Sequence, residues 1–384
     1  MDFALTEEQE AIRKMVREFA AKEIEPRIHE INEKGVFHTP VIRKAAELGL
    51  LGMTVPSEYG GTGTDFVSYC IMIEEVSRVC GSTGLTLAAH CGLGTSHIAQ
   101  GTEEQKRAYL PKLASGERIG AWALTEPGSG SDAAALATTA VRKGNEWILN
   151  GEKTFCTNAH FADVITVMAK TDPGKGTKGI TAFIVPKGTP GLKMGKLEEK
   201  LGLHGSATSQ FFLEDARVPH ANVVGGDAGV GAGFVGALKT LDSGRIAIGA
   251  WALGIAQGAL DASLAYAKER QQFGKPIGAF QAIGFKLATM ATEIDAARWL
   301  VYRAAWLKHH GRPFKKEASM AKLYATEASM RATNQAIQIH GGNGYTTEFP
   351  VHRFFCDAKL GEIGEGTSEV QRMVIARELG LPAE

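Results

Sequence analysis

Between residues 280 and 304 the apolar positions Phe280, Ile283, Leu287, Met290, Ile294, Ala297, Val301 and Ala304 recur at alternating spacings of three and four. A seam of that kind belongs to a long helix packed lengthwise on other helices. A second long helix is predicted before it, opening at Phe234, running to about Gln272 and stopping at Phe273-Gly274 with Pro276 beyond. A third is predicted after it over 316–339, alanine-rich and closed by Gly341-Gly342. Three such helices in succession require a bundle.

The rest of the chain falls into two further blocks. At the start, Thr6-Glu7-Glu8-Gln9 is a capping box, and the helix it opens carries Ile12, Val16, Phe19 and Ala20 on one face. Helical stretches are expected at 40–50, 66–79, 82–101 and 103–113, with a turn cluster at 56–61. Composition then changes to short strand patterns at 121–124, 136–141, 147–149, 164–169, 180–185 and 210–213. Asn150-Gly151 reads as a turn between two of them. No long helices alternate with these strands, which favours a small β-barrel or sandwich over a parallel sheet. The glycine-rich run 225–233 could cradle phosphates, but at a composition boundary it reads more readily as a mobile linker. The expected fold is α+β: an N-terminal helical domain over 1–119, a middle β domain over 120–228 and a C-terminal helical bundle over 229–384.

Charge narrows the function classes. Lys+Arg and Asp+Glu both number 42 in 384 residues, so there is no bias toward nucleic acid or an anionic membrane. Cys70, Cys80, Cys91, Cys156 and Cys356 form no C-x-x-C pair, which suits reduced thiols in a cytosolic or matrix setting. The N-terminus is acidic without an apolar core, so no signal peptide is expected. The longest nearly apolar run, 246–256, is too short to span a bilayer. A soluble, cytoplasmic protein is expected.

Several motifs carry possible chemistry. Gly128-x-Gly130-x-x-Ala133 looks like a dinucleotide fingerprint, but a strand pattern follows where a crossover helix is needed, so that reading is rejected. Arg270 ends a helix, where the dipole alone favours it; the functional alternative is a guanidinium on a pyrophosphate. Gln338-Ile339-His340-Gly341-Gly342 runs from a helix end into a glycine nest. No histidine stands at zinc-ligand spacing, and no G-x-S-x-G elbow occurs, so metal and acyl-enzyme chemistry are weak options. Near the end, Glu365 lies between Gly364 and Gly366, just before Thr367-Ser368, either of which can cap a following helix. A glutamate there can be tuned as a proton acceptor, although a solvated loop residue is the commoner local outcome.

Five motifs, in this order and at these separations, resemble the acyl-CoA dehydrogenase family of flavoproteins across the whole chain. They are Thr125-Glu126-Pro127-Gly128-Ser129-Gly130-Ser131-Asp132, Leu241-Asp242-Ser243-Gly244-Arg245, Arg270-Gln271-Gln272-Phe273-Gly274, Gln338-Ile339-His340-Gly341-Gly342 and Glu365-Gly366-Thr367. The resemblance implies a homotetramer, or dimer of dimers, with FAD held between subunits. It implies that Trp122, Ala123, Leu124, Thr125 and Ser131, with Phe155, Cys156 and Thr157, contact the flavin ring. Arg270, Phe273 and Gln281 would bind the pyrophosphate and adenosine half, joined by Gln338, Ile339, Gly341 and Gly342 from a neighbouring subunit. Thr367, Ser368 and Glu369 would complete the cofactor site. Ser131, Asp242, Ser243, Gly244, Arg245 and Gly366 would meet the acyl-CoA.

In the implied reaction Glu365 takes the α-proton, while its backbone N–H and a flavin ribityl hydroxyl polarise the thioester carbonyl. The β-hydride goes to flavin N5, the product is a trans-2-enoyl-CoA, and electrons leave to an electron-transfer flavoprotein. Family members often carry tyrosine before the base; here it is Gly364, which implies a wider pocket for a short, branched or cyclic acyl group. Gly244 leaves empty the alternative base position of isovaleryl-type members. An oxidase or a non-oxidising flavoprotein of the same fold is the alternative, and a non-catalytic helical assembly or nucleic-acid-binding protein is the alternative from another class.

Overall fold

The computed structural model describes residues 4–382. Met1, Asp2 and Phe3, where the resemblance begins, lie outside the described residues. Helices α1 (Glu7–Phe19), α2 (Ile28–Glu33), α3 (Thr39–Glu47), α4 (Phe66–Val79), α5 (Gly81–Ala88), α6 (Ser96–Ile98) and α7 (Glu103–Ala114) come first. The capping box at α1 forms, with the Thr6 hydroxyl accepting from the Gln9 N–H and the Gln9 side chain accepting from the Thr6 N–H.

The middle of the chain is one mixed sheet of β1 (Gly120–Ala123), β2 (Thr139–Lys143), β3 (Glu146–Thr157), β4 (Val164–Lys170), β5 (Ile180–Pro186), β6 (Leu192–Leu197) and β7 (Thr208–Pro219). The order is β1-β4-β2-β3-β7-β6, with β5 paired to β4; β4 runs parallel to β1 and β2, and the other pairings are antiparallel. Two expectations are corrected here. Asn150 and Gly151 form no turn: they lie inside β3, at a register shift against β7. Thr138 packs so close that a Cβ at Gly151 would sit 2.4 Å from its hydroxyl, so the glycine serves backbone approach at a bulge. The run 225–233 is no loose linker either. A Cβ at Gly231 would meet the Lys178 carbonyl at 2.4 Å, one at Gly233 the Ala182 nitrogen at 2.4 Å, and the Gly231 N–H donates to Thr181. Its glycines let the chain cross tightly over β5.

The bundle comprises α8 (Gly233–Glu269), α9 (Gln281–His309) and α10 (Lys315–His340), with the hairpin β8 (Gln271–Gln272) and β9 (Lys275–Pro276) between the first two; α11 (Val351–Ala358) and α12 (Ser368–Glu378) follow. Met290, Ile294, Ala297, Val301 and Ala304 of the seam are buried, while Phe280, Ile283 and Leu287 are only partly covered. Helix α8 is the axis of the molecule. A Cβ at Gly254 would lie 2.2 Å from the Glu74 carbonyl and one at Gly258 2.3 Å from that of Arg78, so these glycines bring α4 against α8. By length and hydropathy α8 could cross a membrane, but 83% of its most apolar window is buried inside the protein. One apolar core joins N-terminal helices to bundle through Val16, Tyr69, Trp251 and Val301.

Candidate active site

The segment between α11 and α12 is seated on the bundle through Gly361, where a Cβ would press on Thr326 at 2.9 Å and on Trp251 at 3.2 Å. The chain turns through the Gly364 N–H donating to the Leu360 carbonyl, and Glu365 takes φ 53° with Gly366 at φ 94°. A non-glycine residue rarely adopts that left-handed backbone, and such residues collect at functional sites. Thr367 is the N-cap of α12, its hydroxyl accepting from the Val370 N–H. Two side chains hold the turn from inside: Lys322 Nζ donates to the Gly366 carbonyl at 2.5 Å and Gln371 Nε2 to the same oxygen at 2.9 Å.

This backbone turns the Glu365 side chain inward. The residue as a whole is partly exposed, yet its Oε2 is buried and has no hydrogen-bond partner among the described residues. Gly244 of α8 makes the space: a Cβ there would lie 2.3 Å from that oxygen. Burial raises the carboxyl pKa to about 7, against the opposing pull of the Lys322 and Arg245 cations. Arg245, also buried, is held by Asp242 at 2.6 Å, and its Nε has no partner among the described residues. Ser243 is buried beside them.

A second wall comes from the sheet. The Cys156 thiol lies 3.2 Å from the Trp122 carbonyl, and the Thr154 N–H donates to the Thr125 carbonyl, so 122–125 and 154–157 are adjacent. Beneath them a buried ion pair joins Lys153 to Glu126 at 2.7 Å; Lys153 also donates to the Leu124 carbonyl, and Glu126 accepts from the Ala137 and Thr138 N–H groups. The loop beyond is left open, with nothing within 4 Å of a Cβ built at Gly128 or Gly130, and Ser131 is exposed. Phe155 is 65% exposed at φ 53°. The Trp122 indole N–H donates to Nδ1 of His97, which burial keeps neutral with a pKa of about 4; Thr240, one turn before Gly244 on α8, bonds the same nitrogen.

The remaining predicted residues sit elsewhere. Arg270 caps the far end of α8, 26 residues beyond Gly244 and thus roughly 39 Å along a helix rising 1.5 Å per residue. Phe273 (92% exposed) and Gln281 lie beside it. Gln338, Ile339, Gly341 and Gly342 reach the same end, because Tyr266 stacks on His340 at 4.2 Å and its hydroxyl accepts from Asn343. One chain therefore sets Asp242–Arg245 against Glu365, ties Trp122 to the same stretch of α8 through His97 and Thr240, and gathers the Arg270 and Gln338 groups apart from them. Open backbone at Gly128, Gly130, Gly341 and Gly342, with the exposed Arg270 guanidinium, fits the ring and phosphate parts of a flavin dinucleotide.

Sequence reading missed Lys153, His97, Lys322 and Gln371 as parts of this site. For Lys322 a signal existed: it stands in register with Ala318 and Ala325, on the face of α10 that is buried.

Comparison with known proteins decides the family. The models of the acyl-CoA dehydrogenase N-terminal, middle and C-terminal domains match residues 6–117, 121–216 and 231–380. The chain belongs to the acyl-CoA dehydrogenase family. It is 54% identical over 381 residues to a probable acyl-CoA dehydrogenase of Bacillus subtilis, covering 99% of this chain and 100% of that one. Butyryl-CoA dehydrogenase from Megasphaera elsdenii superposes with a TM-score of 0.96 at 43% identity, over 99% of this chain and 100% of that one. A chain in the structure of the electron transferring flavoprotein of Acidaminococcus fermentans superposes at 0.97 with 47% identity, over 99% of each. This acyl-CoA dehydrogenase is thus an oxidoreductase of acyl-CoA thioesters that works with FAD.

Proposed function

We propose that the enzyme oxidises the Cα–Cβ bond of a short, branched or cyclic acyl-CoA to the trans-2-enoyl-CoA, with Glu365 as the base. The observation that carries this reading is the Glu365 carboxylate, buried, unpartnered at Oε2 and tuned to about pH 7. A thioester α-proton is weakly acidic, so its removal needs a base of raised pKa next to stabilisation of the developing enolate. The Glu365 N–H is the donor we assign to the thioester carbonyl oxygen, where that charge appears. Arg245, fixed by Asp242, would orient the thioester side of the substrate, and Ser131 would line its entrance. Bound FAD supplies the acceptor for the β-hydride, and the Trp122–Ser131 loop, Phe155–Thr157 and Thr367–Glu369 would hold its ring end.

The separation of the two residue groups along α8 supports a homotetramer built as a dimer of dimers, in which one subunit's Arg270 or Gln338 group serves a cofactor whose ring end lies in another. The electrons would leave to an electron-transfer flavoprotein in the cytoplasm, a role in keeping with the description of the Acidaminococcus neighbour.

Gly364 supports the choice of substrate. Its φ is not left-handed, and a Cβ there would make only ordinary contacts with Leu360 at 3.5 Å and beyond. The backbone does not demand glycine, so the missing side chain is free volume beside Glu365. Anaerobic bleaching of the bound flavin by butyryl-, isobutyryl- and cyclohexanoyl-CoA tests this. The branched or cyclic thioesters should bleach within a few-fold of butyryl-CoA. Gly364→Tyr should slow those two by about tenfold or more, and butyryl-CoA little, since filling a pocket costs about 1–3 kcal/mol. A parent enzyme that bleaches only with straight chains overturns the substrate assignment; no bleaching with any thioester overturns the reaction.

A further inference from the structure

The reaction just described leaves a buried charge beside the base without a role. Lys322 stands on α10 among Ala318, Ala321 and Ala325 and is fully buried. Where Lys153, equally buried, is paired with Glu126, Lys322 donates a hydrogen bond to a backbone carbonyl, that of Gly366. Burying an ammonium is costly. A neutral side chain would fill the same volume without that cost, so the charge calls for an explanation.

We propose that Lys322 is a positioning residue for the base: it pins the Gly366 carbonyl, and with it the left-handed turn of Glu365, and its positive charge keeps the carboxylate ionised although its Oε2 is buried. This rests on the reading of Glu365 as the base. The turn is held by two donors on one oxygen, Lys322 at 2.5 Å and Gln371 at 2.9 Å, and it comprises two successive residues of positive φ. Backbone of this kind costs on the order of 1–3 kcal/mol and persists only when its surroundings fix it. The groups facing Glu365 come from every element packed on it. Lys322 and Arg245 are the cations on α10 and α8; Tyr69 on α4 is buried with its hydroxyl unpartnered; Glu362 and Glu369 flank it on its own segment. Arg245 already answers to Asp242, which leaves Lys322 as the cation not committed to another carboxylate in that ring. Its own pKa, brought down to about 8 by burial, keeps it charged where the base must be ionised.

The test reads the charge with and without the anchor. Lys322→Gln keeps a hydrogen-bond donor and drops the charge, Lys322→Met drops both, and Lys322→Arg keeps the cation. In the holoenzyme the acid limb of kcat/KM reports the free enzyme's base. Losing a nearby cation raises a carboxyl pKa by about one unit or more. The limb should therefore move up by about one pH unit in Lys322→Gln and Lys322→Met, leaving about a tenth of the parent's activity below the limb. It should return in Lys322→Arg. Flavin content and circular dichroism, measured alongside, should match the parent. Coincident acid limbs in the parent and either neutral variant overturn the proposal, as does an upward shift in Lys322→Arg, which remains informative if the neutral variants do not fold. Glu365→Gln keeps the two readings distinct: full activity there removes the base itself, whereas an inactive Glu365→Gln beside an unshifted Lys322→Gln removes only the role of Lys322.

Discussion

Glu365→Gln should slow anaerobic flavin reduction by about a thousandfold, the scale of a lost general base, and should make the protein more stable at pH 8. Both effects come from one feature. Burial lifts the carboxyl from its ordinary value of 4.5 to about 7 in the folded protein. A carboxyl raised on folding contributes stability that is fully present below its unfolded value and is lost as pH rises through the folded one. Glutamine fills the same space and does not titrate. The variant's advantage should thus be absent below about pH 4.5, open between there and pH 7, and stay level above. At one pKa unit per 1.36 kcal/mol the limit is about 3 kcal/mol. Thermal melts of holoenzyme at pH 5 and pH 8, with stopped-flow reduction at pH 8, check both. Undiminished reduction would exclude Glu365 as the base. A melting difference that does not change with pH would mean that the carboxyl is not held in the raised state described.

How much of this was readable beforehand depended on how local the signal was. The seam on α9 and the capping box on α1 are written in spacing, and spacing is what a single chain displays most plainly. Asn150-Gly151 misled because its usual meaning depends on solvent around a turn, whereas here Thr138 from a neighbouring segment occupies that space. Strand β6 was invisible for a related reason: Leu192–Leu197 carries no buried alternation and is held by pairing with β7. Within the site, Glu365 could be singled out by its glycine neighbours. Its environment could not, since Gly244, Lys322 and Arg245 approach from two other helices, and only their meeting makes the carboxylate unusual. Lys322 shows the boundary well: one lysine in an alanine-rich helix is ordinary until the buried face of that helix is known.

Gly244→Ala should lower the rate of flavin reduction by about a hundredfold without a comparable loss of stability. The new methyl carbon would stand 2.3 Å from Glu365 Oε2 and 3.0 Å from a Leu93 methyl, so the carboxylate has to give way by about an ångström. Displacement on that scale costs a reacting geometry about a hundredfold. Stability is pulled both ways. Alanine is better than glycine inside a helix by about 1 kcal/mol, whereas overpacking costs about 1–3 kcal/mol. The comparison that isolates the effect is Gly364→Ala, one residue from the base, where a Cβ meets only Leu360 at ordinary contact distance. That variant should reduce its flavin within a few-fold of the parent. A methyl group that points at Oε2 and one that packs on Leu360 should then differ by more than tenfold. If Gly244→Ala turns over like the parent, the carboxylate has room that the structure denies it, and Gly244 has no part in setting where the base stands.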